Sequence, residues 1–166
     1  MPNRCRHAIL DGADVREALA LFAGYGVRYL IFGGCAVIWY SKPRYTHNVD
    51  IWTASDELNA RAVFAVLGHL GAPLTGLFHE DFRQPGFYYQ MGRPPIRIDD
   101  MPTLRGVSFE DAWKERESMA VDGVDLNFIS RRHLIQVKRA AGRPQDIVDL
   151  RQLDEGSDPM LCPEGA

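Results

Sequence analysis

Residues 29–52, YLIFGGCAVIWYSKPRYTHNVDIW, run from a short apolar segment into a glycine pair and then into a polar stretch that ends at Asp50-Ile51-Trp52. Tyr29, Leu30, Ile31 and Phe32 are apolar without interruption and are stopped by Gly33-Gly34, the pattern of a strand buried on both faces. Cys35 to Tyr40 is compact and apolar and predicts a short helix. The glycine turn then lies at that helix's N-terminus, where unpaired backbone N–H groups can meet phosphate oxygens. Thr46 to Trp52 predicts a second strand, in which alternation sets Asn48 and Asp50 on one face and His47, Val49 and Ile51 on the other. Two oxygen-bearing side chains pointing the same way suit Mg²⁺, a hard cation that takes one or two carboxylates and shares the rest of its shell with phosphate and water.

Working outward, Val15, Ala18, Leu19 and Phe22 recur at helical spacing, with Asp11 or Asp14 as N-cap and Gly24 and Gly26 as stops. After the second strand, Ser55 is the expected N-cap of a helix over 56–70 whose apolar face holds Leu58, Val63, Phe64, Val66, Leu67 and Leu70. Residues 74–86 have no period, and Phe78, His79, Phe82 and Gly86 are expected in a loop bordering a ligand. Phe87 to Met91 reads as a strand, Gly92 to Pro95 as a turn, and Ile96 to Asp100 as another strand. There Arg97 and Asp99 share a face and Asp100 points away. Ser108 opens a short helix through Arg116, and Asp122-Gly123 makes the tight turn of a hairpin.

Ser130 caps a further helix in which Leu134, Ile135 and Val137 pack, with Arg131 and Lys138 on other faces. Pro144 restarts a helix that turns Ile147, Val148, Leu150 and Leu153 inward. Asp146 and Asp149, three apart, are placed to pair with Arg143 or Lys138. The reading is one α+β (α/β) domain over 1–154, a small mixed β-sheet flanked by helices, with a loose, turn-rich tail over 155–166.

Composition narrows the classes. The 166 residues suffice for a core, and 46% hydrophobic with 25% charged content is that of a globular chain. A formal net charge of −3 argues against bulk electrostatic binding to nucleic acid, although Arg131, Arg132, Lys138, Arg139 and Arg143 crowd one helical region. Cys5, Cys35 and Cys162 are odd in number and lack metal-ligand spacing, so a reducing, cytoplasmic setting is expected. Apolar runs are too short to span a bilayer, so no membrane association is expected.

Gly33-Gly34 followed by Arg44-x-Thr46-x-Asn48-x-Asp50 resembles the head motif of minimal nucleotidyltransferases with the DNA polymerase beta-type fold. That family has Gly-Gly, then Arg-x-Thr-x-Asp-x-Asp, and a third aspartate on a later strand. Arg93 to Asp99, followed by Gly106-Val107-x-Phe109-x-x-Ala112-Trp113, is similar to the segment carrying the third aspartate. Leu134-Ile135-x-x-Lys138-x-Ala140-x-x-Arg143-x-x-Asp146-x-x-Asp149-Leu150 resembles the C-terminal helices of the nucleotidyltransferase half of type IV toxin-antitoxin systems. The matches fall in order over about residues 27–153. The chain departs from the pattern at Asn48, where the family has its first metal-binding aspartate. An amide oxygen can ligate Mg²⁺ but brings no charge, so weaker metal binding is expected.

The resemblance implies an Mg²⁺- or Mn²⁺-dependent transfer of NMP from an NTP to a protein or RNA acceptor, with a cognate toxin or antitoxin as partner. It assigns Gly33 and Gly34 to the triphosphate, Asn48 and Asp50 to the metal shared with it, and Asp99 to a second metal and the acceptor hydroxyl. Arg44 and Lys138 would offset charge on the leaving pyrophosphate, and Thr46 would orient the loop. Two other readings stay open: an NTP-binding module without turnover, and a partner-binding protein of the same fold.

Overall fold

The computed structural model describes residues 13–42, 46, 48–93, 96–121 and 123–155. Arg44, His47, Asp11, the Asp of the Asp122-Gly123 turn and the tail beyond Glu155 therefore lie outside the described residues. The elements run α1 (Ala13–Gly24), β1 (Tyr29–Phe32), α2 (Gly33–Tyr40), β2 (Asn48–Thr53), α3 (Glu57–His69), a 3₁₀ turn (His79–Arg83), β3 (Tyr89–Arg93), β4 (Ile96–Met101), α4 (Phe109–Lys114), β5 (Glu117–Val121), β6 (Val124–Phe128), α5 (Arg131–Ala141) and α6 (Pro144–Glu155).

The strands form one six-stranded mixed sheet in the order β3-β4-β2-β1-β6-β5. β1 is antiparallel to β2 and parallel to β6, while β2 runs parallel to β4. As its uninterrupted apolar run predicts, every residue of β1 is buried. Val15, Ala18, Leu19 and Phe22 of α1 pack with Val63, Val66 and Leu67 of α3 into the same core. Near the start of α3, Asn59 clamps the helix to the ends of β1 and β2. Its Oδ1 accepts from the Arg28 N–H at 2.7 Å, and its Nδ2 donates to the carbonyls of Arg28 at 3.1 Å and Ala54 at 2.9 Å.

Several local expectations are corrected. α2 begins at Gly33 itself rather than after the glycine pair. Asp56, not Ser55, caps α3, accepting from the Asn59 N–H, and Leu58 on that helix's outer side is 81% exposed. Phe82 leaves the expected ligand-bordering loop for the core, where it meets Phe64, Phe87 and Tyr89 edge-on or tilted. A turn closed by the Phe87 N–H on the Gln84 carbonyl delays β3 to Tyr89. On α6 the inward residues are Asp146, Asp149 and Leu153, leaving Ile147 and Val148 49% and 46% exposed. Among the described residues no helix is long and apolar enough to cross a membrane.

Candidate active site

Parallel pairing of β2 with β4 puts Asn48 beside Arg97 and Asp50 beside Asp99. Because all four lie at alternate positions on neighbouring strands, their side chains emerge together. The Asn48 amide bridges the two carboxylates: its Nδ2 donates to Asp50 Oδ1 at 2.8 Å and to Asp99 Oδ2 at 2.6 Å. The reverse orientation would set three oxygens against one another, so charge fixes which end of the amide points inward. Arg97 lays its guanidinium along Asp99, Nε 2.9 Å from Oδ1 and Nη2 3.0 Å from Oδ2. Asp100, on the other face of β4, accepts from Thr53 Oγ1 at 2.9 Å and takes no part.

The glycine turn meets this cluster edge to edge. Gly33 has φ +63°, and a Cβ there would fall 2.0 Å from Asp50 Oδ2, so only glycine lets β1 and β2 close with the carboxylate in this position. Cys35 Sγ and Thr46 Oγ1 both donate to the Asn48 carbonyl, at 3.5 and 3.2 Å, which ties the loop and α2 to the start of β2.

These groups line one open cleft of about 700 Å³. One end is Phe32, Gly33 and Gly34; a second wall is Gly86, Phe87, Tyr88, Met101 and Thr103; the third comes from α5 and α6, with Lys138, Arg143, Gln145, Asp146 and Asp149. Lys138 was expected off the packing face, yet it is 5% exposed. Its Nζ donates to Asp146 Oδ1 at 3.0 Å and Asp149 Oδ2 at 2.8 Å, the pairing the spacing predicts. Asp146 also accepts from the N–H and Nε of Arg143 at 3.0 and 2.8 Å. Arg131 is bonded to the Leu153 carbonyl and Arg132 to Glu115, so much of the expected basic patch is spent on internal pairs.

Electrostatics single out Asp50. Burial, and then the charge of Asp99, push its carboxyl up to about 6, against the opposing pull of Lys138, the Asn48 amide and Arg143. A carboxylate held in this way gains most from a cation at its open side. The donor set of Asp50, Asp99 and, after rotation of its amide, Asn48 Oδ1 consists of hard oxygens and fits Mg²⁺ or Mn²⁺. Among the described residues no three His, Cys, Asp or Glu side chains gather as a metal cluster, because the third place here is the amide.

The structure brings Gly33, Gly34, Thr46, Asn48, Asp50, Asp99 and Lys138 to one cleft, and Arg44 lies outside the described residues. His79, expected in a loop bordering a ligand, is absent from the cleft lining and lies 3.2 Å from Glu80. Sequence reasoning gave no role to Arg97, although its i, i+2 spacing from Asp99 on a strand was the available signal.

No family model matches the chain and no curated protein matches it in sequence. Among solved structures it is similar to an antigenic nucleotidyltransferase-like protein from Paracoccidioides brasiliensis, with a TM-score of 0.55 and 16% identity over 89% of this chain and 76% of that one. It is also similar to the lincosamide antibiotic adenylyltransferase LnuA in its lincomycin-bound form, with a TM-score of 0.53 and 14% identity over 87% of this chain and 96% of that one. With its mixed sheet, its glycine turn and these neighbours, the chain has the nucleotidyltransferase fold.

Proposed function

We propose that this chain transfers a nucleoside monophosphate from an NTP to an acceptor hydroxyl on a protein or RNA. The observation that supports it most is the setting of Asp50 and Asp99 abreast on β2 and β4 with the Gly33 backbone against Asp50. In this reading the N-terminus of α2 receives phosphate oxygens on its free N–H groups. Lys138 on α5 and Arg143 just before α6 reach the same cleft and face the β and γ phosphates. Thr46 holds the loop against β2. Asp99, oriented by Arg97, takes the proton of the acceptor hydroxyl. The hydroxyl oxygen bonds to the α-phosphorus, the bond from that phosphorus to the bridging oxygen breaks, and pyrophosphate leaves. A divalent ion, Mg²⁺ or Mn²⁺, would be held by Asp50 and Asn48 and would supply positive charge to the triphosphate.

The likeness to an adenylyltransferase supports the reaction class, and a toxin-antitoxin role is the setting that the C-terminal motif suggests. A cytoplasmic site of action follows from that setting. The test is transfer of label from each of four α-³²P NTPs, with either ion, in lysate and with purified protein. Labelled acceptor with the wild type and none with Asp99→Asn is the expected result. Absence of label with every NTP, in lysate as well, overturns it. The Asn48 bridge favours one second reading, a nucleotide-binding module without turnover, and bound nucleotide with no labelled product would establish it.

A further inference from the structure

Asp50 and Asp99 are not equivalent. Asp99 is 2% exposed and is ion-paired with Arg97, whose Nη2 donates to Oδ2 while Nε lies 2.9 Å from Oδ1 without a hydrogen bond, in addition to accepting from the Asn48 amide. Among the described residues no cation makes a hydrogen bond or ion pair with Asp50. Its Oδ1 accepts from the neutral Asn48 amide, and its Oδ2 lies against Gly33, toward the cleft. One carboxylate is therefore already compensated by a full positive charge, and its neighbour is open to one.

The cross-strand register explains how these two features belong together. Asn48 and Arg97 are direct neighbours on β2 and β4, just as Asp50 and Asp99 are. The amide removes one negative charge from the corner of the sheet where Arg97 adds one positive charge. A guanidinium is permanently charged, and with one charge-assisted hydrogen bond and its Nε at 2.9 Å it neutralises the charge of Asp99. A divalent ion seeking Asp99 would have to stand against the charge of Arg97, break its hydrogen bond to Oδ2 and also rotate the amide. An ion seeking Asp50 and the polyphosphate has only the amide to rotate.

We infer that Arg97 stands on Asp99 in the place of a second divalent ion, so that this chain handles its polyphosphate with a single ion, held by Asp50 and Asn48. This rests on the nucleotidyl-transfer reading above and specifies the metal requirement of that same site. It also assigns Arg97 as a positioning residue: by its hydrogen bond to Oδ2 and its charge beside Oδ1 it keeps that carboxylate aimed at the cleft.

The experiment counts Mn²⁺ bound per chain, by electron paramagnetic resonance of the free ion, with each of four non-hydrolysable α,β-imido nucleoside triphosphates in turn. Nucleotide occupancy is read in parallel by equilibrium dialysis. One ion in the nucleotide complex of the wild type, and two in the complex of the double variant Asn48→Asp with Arg97→Gln, is the expected result. Two ions in the wild-type complex overturn the inference while leaving the transfer reading intact. So does a single ion in a double variant that keeps its near-ultraviolet circular dichroism and its nucleotide. Should no nucleotide bind the wild type at any ion concentration, the transfer reading fails and this inference fails with it. The wild-type count needs no substitution, so it decides the matter even if the double variant does not fold.

Discussion

Gly33 is where backbone geometry and site chemistry constrain each other most tightly. Its left-handed backbone, and the 2.0 Å that would separate a Cβ from Asp50 Oδ2, leave no room for a side chain. Gly33→Ala is expected to move the carboxylate or the turn, costing about 1–2 kcal/mol of stability and at least ~10-fold in nucleotide affinity. Unchanged affinity in equilibrium dialysis would separate the glycine from the site. At position 48, Asn48→Asp should tighten Mn²⁺ binding in titrations, and an unaltered affinity would mean that Asn48 does not face the ion. Asp100 offers a test of a different kind. Burial raises its carboxyl from 3.8 to about 7, so the folded protein holds a proton there that the unfolded chain releases. Stability from this group is fully present below about pH 4 and is lost as pH rises through about 7. Denaturation in chelator across that window should show the decline, and Asp100→Asn should flatten it; an equally steep decline in the variant would place its origin elsewhere.

At the scale of elements, α5 and α6 are joined by charge where other helix pairs are joined by methyl groups. Lys138 is buried between Asp146 and Asp149, both fully enclosed. Lys138→Met would leave the buried Asp149 without a cation and Asp146 with Arg143 alone, and should cost about 3–5 kcal/mol, or roughly 10 °C in Tm. Adding Asp146→Asn and Asp149→Asn to that variant should restore much of the loss; if the triple variant is no more stable than the single one, the pairing is not what unites the helices. The same contact explains one failure of sequence reading. Helical periodicity assigns the inward face to apolar residues, so Ile147 and Val148 looked buried, but the inward face belongs to the aspartates that meet Lys138. Strands were more legible. The YLIF run, the alternation through Asn48 and Asp50, and the Arg97–Asp99 face all follow from period two, and the sheet uses each of them. What period two cannot give is register, and register alone sets Asp50 beside Asp99 and so lets the Asn48 amide bridge the two carboxylates. The Phe87 and Tyr88 wall was only partly legible: the pattern puts both residues in the strand, whereas a turn before it carries them to the cleft.

For the molecule as a whole, the cleft matters because its walls come from distant parts of the chain. Gly33 and Gly34 stand at its floor, Gly86 to Thr103 supply one side, and Val137 to Asp149 supply the other. The two sides have different chemistry: Phe87, Tyr88 and Met101 are aromatic or apolar, whereas Lys138 and Arg143 stand paired with Asp146 and Asp149 in a charged wall. A nucleotide whose phosphates lie on the charged side and whose remainder lies toward the aromatic side must touch both at once. Binding of that kind ties the walls together, and its free energy adds to that of folding. At a ligand concentration of 100 times Kd the gain is about 2.7 kcal/mol, which for a chain of this size raises Tm by roughly 5–10 °C. Amide hydrogen exchange should then slow in both segments, 86–103 and 137–149, when a non-hydrolysable triphosphate and Mn²⁺ are added together. Protection confined to 137–149 would mean that only the phosphates are held and that the aromatic wall serves the acceptor. Protection in neither segment, at a concentration that raises Tm, would place the ligand outside this cleft altogether.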